Sequence, residues 1–94
     1  MDEKLIKVLL IEDDEDDYVI LRNILSGIDT VKYDLDWVKD RNEALGLIKD
    51  KNYDVCLMDY RLGEFTGIEL IDDLKRQGYE LPIIMLTEIG RAHV

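Results

Sequence analysis

Three short runs of apolar residues constrain this chain more than any other feature: KVLLI at 7–11, VCLM at 55–58 and IIMLT at 83–87. Each is too short for a buried helix and has the character of a strand covered on both faces. Between the first two, Tyr18, Leu21, Ile24, Leu25 and Ile28 recur at intervals of three and four, which predicts a helix with one buried face. Ser26-Gly27 offers its exit. The segment YDLDWV at 33–38 alternates polar and apolar residues, as a half-exposed or edge strand does.

Two further helices carry start signals. Asp40 with Glu43 three residues on forms a capping-box pattern ahead of Ala44, Leu45, Leu47 and Ile48, which are expected to face inward. Thr66 and Glu69 repeat the pattern ahead of Ile68, Ile71 and Leu74, and Gln77-Gly78 closes that helix before Pro82 and the last strand. The order is β-α-β-α-β-α-β. Strands separated by helices imply right-handed crossovers and a parallel sheet covered on both faces, so the class is α/β. With 94 residues the chain corresponds to one small domain.

Composition removes several alternatives. A content of 47% hydrophobic and 36% charged residues fits a globular domain and argues against disorder. No apolar stretch approaches the ~20 residues that span a bilayer. The N-terminal MDEKLIKVLLIEDD is cut off by acids and lacks a small-residue cleavage site, so it is expected to be a strand and not a signal peptide. The net charge of −10 argues against direct binding of nucleic acid or anionic membrane by this segment. The single cysteine, Cys56, sits within an apolar run and is expected to be a buried small hydrophobe, with the cytoplasm as the compartment.

Much of the negative charge is local, because residues 12–17 read EDDEDD. Ligands of open parallel sheets bind beyond the carboxyl ends of the strands, where the strand order reverses. Asp59 closes the third strand, and Glu12, Asp13 and Asp14 follow the first. If these strands are neighbours, their carboxylates converge, repel and raise one another's pKa unless a cation compensates. A hard divalent ion, Mg²⁺ above all, suits such oxygen ligands. The same acids have a plainer reading. Glu15, Asp16 and Asp17 would meet the positive end of a helix and be solvated, and Asp59 alone could cap a turn. Both readings stand at this level.

The ordered set "VLLIEDDEDD", "DVCLMDYRLGEFTGIEL" and "PIIMLT" resembles the receiver domain of two-component response regulators, the CheY-like family. The resemblance covers residues 5–87. It implies a flavodoxin-like doubly wound parallel sheet in the order 2-1-3-4, continuing in complete members to a fifth strand. It implies Asp59 as the phosphoacceptor, attacking a phosphohistidine on a sensor histidine kinase or histidine phosphotransfer protein to give an acyl phosphate. Asp13 would ligate Mg²⁺ directly, Glu12 through water, and Arg61 through its backbone carbonyl. Asp14 is the substitute if the register shifts by one. Thr87 would hydrogen-bond a phosphoryl oxygen and couple phosphorylation to a distal surface. The domain would accept a phosphoryl group without being an enzyme beyond slow self-dephosphorylation.

Two departures accompany the likeness. Gly63 stands where many receivers carry proline. The family's fourth helix, fifth strand with its aromatic switch and lysine, and fifth helix have no counterpart after Thr87, where the chain reads EIGRAHV. One reverse translation of residues 89–94, ATC GGA AGA GCA CAC GTC, resembles a short-read sequencing adapter. Residues 88–94 are therefore expected to be a non-native tail after a partial receiver at 1–87, and His93 is given no role. With its last helices missing, such a fragment would expose the fourth strand as an uncharged edge and self-associate through it.

Two other function classes compete. A phosphorylation-independent pseudo-receiver interaction module, or a non-functional fragment, would share the fold without the chemistry. An aspartyl-nucleophile phosphatase would resemble the chemistry, but it places a second aspartate two residues after the nucleophile, where this chain has Arg61. A flavin-binding relative needs backbone amides or hydroxyls in the first loop, where EDDEDD stands instead.

Overall fold

The computed structural model describes residues 5–59, 61, 62 and 65–86, with Asp59, Arg61, Leu62 and 65–67 described by backbone alone. The elements are β1 (Leu5–Ile11), α1 (Glu15–Ser26), β2 (Lys32–Val38), α2 (Arg41–Asp50), β3 (Val55–Asp59), β4 (Arg61–Leu62), β5 (Phe65–Thr66), α3 (Gly67–Arg76) and β6 (Ile83–Leu86). The main sheet runs β2-β1-β3-β6 with every pairing parallel, the expected 2-1-3-4 order with β6 as its fourth strand. From β1 to β2 the chain steps one way across the sheet, and from β2 to β3 and β3 to β6 it steps the other. Right-handed crossovers then put α1 on one face and α2 and α3 on the opposite one.

Side chains alternate across each strand, and the core follows that alternation. Leu9, Ile11, Cys56 and Met58 pack with Val38, Ala44, Ile48, Leu70 and Leu74 on the face of α2 and α3. Val8 and Leu10 are equally buried and point to the α1 face, as does Leu21 of that helix. Burial pushes the Cys56 thiol up to about 12, so it stays protonated and acts as a small hydrophobe. Strand β2 is the edge strand its alternation predicted.

The helix starts follow the capping signals with one change. Asp40 Oδ1 accepts the Glu43 N–H at 2.8 Å, while Glu43 Oε1 accepts from the Lys39 N–H at 3.3 Å, one residue before the cap. Arg41 of α2 pairs with Asp73 of α3, and Arg76 adds a second contact to that carboxylate at 3.5 Å. The Thr66 side chain lies outside the described residues.

Several inward assignments need correction. Ile68 is half-exposed and Leu70 takes the buried place, because Leu70 and Leu74 form the i, i+4 stripe and Ile68 stands roughly 200° round the helix from Leu70. In α1, Leu21 is buried and Tyr18 and Leu25 are half-buried, but Ile24 is 56% exposed, about 100° round from Leu25. Ile28, past the helix end, is also exposed and lines an open groove of about 430 Å³ with Leu5 and Leu25. Asp17, expected to be solvated, is buried, since it shares the inner stripe with Leu21 in the positive first turn of α1.

Tyr53, just ahead of β3, and Asp36, opposite Leu9 in β2, make a polar contact. The Tyr53 hydroxyl donates to Asp36 Oδ2 at 2.6 Å, and Lys51 Nζ donates to the same oxygen at 3.2 Å. The Tyr53 hydrogen bond is the main cause holding the Asp36 carboxyl below its ordinary range, opposed by burial and aided by Lys51. Burial, then the Asp36 bond, raises the Tyr53 phenol above its ordinary value. Tyr53→Phe is therefore expected to lose about 1 kcal/mol at neutral pH. A lowered carboxyl contributes above its unfolded value and is lost as pH falls through the lower folded value, so the deficit closes below about pH 4. A raised phenol contributes below about pH 10 and is lost above it, so the deficit shrinks there as well. Urea unfolding of both proteins at pH 3, 7 and above 10 measures this.

Candidate functional site

The strand order reverses between β1 and β3, so the carboxyl ends of these two strands form the crevice at which such sheets bind ligands. Ile11 pairs with Met58 across them. Glu12 therefore leaves β1 at the level at which Asp59 closes β3. On the other side Asp59 pairs with Leu86, the last residue of β6. The sheet backbone thus places Asp59 between the acidic run and the residue that precedes Thr87. Thr87 itself lies outside the described residues, as do the Asp59 carboxylate, Gly63 and residues 88–94.

The acidic run is not one uniform patch. Glu12 is 2% exposed, and its backbone is held to β2 at both ends. Its N–H donates to the Val38 carbonyl at 3.0 Å, and its carbonyl accepts the Trp37 Nε1–H at 2.8 Å. Its carboxylate Oε2 accepts the Asp14 N–H at 3.1 Å. Asp13 is exposed. Asp14 is the N-cap of α1, its Oδ1 accepting the Asp16 N–H at 2.8 Å. Glu15 and Asp16 are exposed, as the plainer reading expected. One sequence run therefore supplies a pinned buried acid, an exposed acid and a helix cap in succession.

Beyond Asp59 the chain folds into a short antiparallel ladder between β4 and β5. Arg61 pairs with Thr66 and Leu62 with Phe65, so the Arg61 backbone is fixed two residues beyond Asp59. Among the described residues, no three His, Cys, Asp or Glu side chains are gathered to hold a metal. That set excludes the Asp59 carboxylate.

Trp37 and Tyr18 were missed by sequence reasoning as parts of this region. Their rings stack at 4.0 Å between centroids and 5° between planes. Arg22 lies 5.5 Å from the Tyr18 ring and Lys39 lies 5.2 Å from that of Trp37, within cation–π range. An indole at the end of an alternating edge strand, one residue before a buried valine, was the available signal, but nothing in it names Glu12 as the partner.

A family model for the response regulator receiver domain matches residues 8–93. Response regulator RppA of Synechocystis sp. is 33% identical over 86 residues, covering 89% of this chain and 36% of that protein. Autoinducer 2 sensor kinase/phosphatase LuxQ of Vibrio parahaemolyticus is 39% identical over 71 residues, covering 76% of this chain and 8% of that protein. Of solved structures, the MaeR response regulator bound to beryllium trifluoride superposes with a TM-score of 0.78 at 27% identity, covering 92% of this chain and 70% of that one. The chain spans little more than a third of the first curated relative and under a tenth of the second. No helix among the described residues is long and apolar enough to cross a membrane.

Proposed function

Since the chain belongs to the response regulator receiver domain family, we propose that it accepts a phosphoryl group on Asp59 from a phosphohistidine of a sensor histidine kinase or histidine phosphotransfer protein. The observation that carries this reading is the register that seats Asp59 at the switch point, between the end of β1 and the end of β6. In the transfer, an Asp59 carboxylate oxygen forms the new P–O bond and the P–N bond breaks. Its electron pair passes to the imidazole, which leaves as the neutral ring when its other nitrogen carries a proton.

The donor set fits a hard divalent cation, because Glu12, Asp13, Asp59 and the Arg61 carbonyl all offer oxygen. Asp13, exposed beside the pinned Glu12, is the direct ligand in this reading, and Glu12 acts through water. Asp14 serves α1 as its cap, which favours the Glu12/Asp13 register over Asp13/Asp14. Bound there, Mg²⁺ would neutralise charge on the transferring group. Thr87, next after Leu86, would donate its hydroxyl to a phosphoryl oxygen. The chain is an acceptor, with at most slow self-dephosphorylation of its own, and we place it in the cytoplasm.

Two narrower expectations are carried with this reading. One is pairing of the β6 edge of the described sheet with a second copy, an expectation that follows from the general tendency of uncharged edge strands to pair. Sedimentation over a range of concentrations tests it, and a monomer throughout would contradict it. The reading of 88–94 as foreign is tested by re-sequencing the source DNA across the Thr87 codon.

Intact mass spectrometry after incubation with Mg²⁺ and acetyl phosphate tests the proposed function. A phosphoryl-sized gain that disappears when EDTA replaces Mg²⁺ is expected. No gain on a chain shown to be folded would favour the phosphorylation-independent interaction module.

A further inference from the structure

Among the described residues, the indole N–H of Trp37 holds the backbone of a residue within the proposed acceptor site from a side chain outside it. Glu12 and Asp13 are joined by a single peptide group, and the carbonyl of that group is the one that accepts Trp37 Nε1–H at 2.8 Å. The preceding N–H is fixed to Val38 at 3.0 Å. A peptide group is planar, so fixing its carbonyl direction also fixes the direction in which the Asp13 Cα leaves the strand. The indole is in turn fixed by its stack on Tyr18 of α1, whose ring lies 5° from parallel. Indole supplies a donor and no acceptor, so its N–H has one use, and here it is spent on the Glu12 carbonyl.

We propose that Trp37 is a positioning residue for the divalent-cation ligands, acting through the Glu12–Asp13 peptide, with its aromatic stack as the support. The inference rests on the receiver reading and deepens it, by naming a residue that orients Asp13 without touching cation or phosphate. An exposed carboxylate on an untethered turn must be ordered when it binds a cation, and that ordering lowers affinity. Trp37 removes part of that cost in advance.

Trp37 is the only tryptophan, so growth of an auxotroph on 3-benzothienylalanine deletes the N–H while keeping the fused ring for the stack. Mg²⁺ is titrated against the unsubstituted and substituted chains, followed by the amide shifts of Asp13 and Asp14, with thermal unfolding measured alongside. The half-saturating Mg²⁺ concentration is expected to rise about 3- to 10-fold, the worth of one hydrogen bond, in a chain that still unfolds cooperatively. Trp37→Phe, which also lacks the donor but retains an aromatic ring, should show a rise of at least that size and serves if the analogue chain does not fold. Equal Mg²⁺ affinity in the unsubstituted chain and a folded donor-less variant overturns the positioning role and leaves the receiver reading standing. Failure of the unsubstituted chain to show any saturable Mg²⁺ response instead overturns the metal site itself, and the inference with it.

Discussion

Asp59→Asn is expected to abolish phosphoryl acceptance while leaving the fold in place. The substitution exchanges one carboxylate oxygen for an amide nitrogen at nearly constant volume, so the parallel pairing of β3 with β1 and β6 has no steric reason to change. What is lost is the anionic oxygen that forms the P–O bond, and a neutral amide does not replace it as a nucleophile. Stability should hold or rise slightly, because Glu12 and Asp13 leave β1 at the same level and like charges at a shared crevice repel. Asp13→Asn should differ in kind. Acceptance survives there, but the Mg²⁺ concentration that supports it rises. Intact mass and circular dichroism on the three proteins separate these outcomes, and an Asp59→Asn chain that still gains a phosphoryl group would place the acceptor elsewhere.

Leu9→Ala is expected to cost about 2–5 kcal/mol, the range for a buried leucine truncated where its surroundings cannot collapse. Leu9 is 0% exposed in the middle of β1, a strand with a partner on each side, and it packs within the cluster shared by α2 and α3. A domain of this size holds only about 5–15 kcal/mol in total, so the loss is a large share of it. The urea midpoint should fall by roughly 2 M or more, taking a slope near 1 kcal/mol per molar for a small domain. Ile24→Ala is the control, since Ile24 is 56% exposed and should change stability by no more than about 0.5 kcal/mol. If both substitutions cost the same, the assignment of the core to the α2 and α3 face is wrong.

The contrast between Leu9 and Ile24 shows where sequence periodicity sufficed and where it did not. A strand with a helical layer on either side must be apolar at every position, so KVLLI, VCLM and IIML announce themselves, and their spacing by helices dictates parallel pairing. A helix needs only one stripe, and a chain with surplus isoleucines blurs it. Ile24 and Ile68 fit the three- and four-residue spacing but lie off the stripes led by Leu21 and by Leu70 with Leu74. Asp17 was misjudged for the opposite reason, since its charge hid its place on an inner stripe. The β4–β5 ladder was missed because two rungs leave no alternation to detect.

Of the candidate site, the acidic strand ends were legible because a turn residue is usual where a strand stops, and an acid there asks for a reason. Their division of labour was not legible. Whether Asp13 or Asp14 caps α1 depends on where the helix begins, which sequence leaves open by one residue. The hydrogen bond from Trp37 to Glu12 crosses 25 residues and exists only once β1 and β2 pair. Local patterns carry no information about such a contact.

The most direct test of the central claim is to locate the phosphoryl group. After incubation with Mg²⁺ and acetyl phosphate, borohydride reduces an aspartyl phosphate to homoserine, and tandem mass spectrometry of the digest identifies the position. The account predicts homoserine at residue 59 and at none of residues 12–17. Homoserine within the acidic run, or a phosphoryl group that resists borohydride on another side chain, would contradict it.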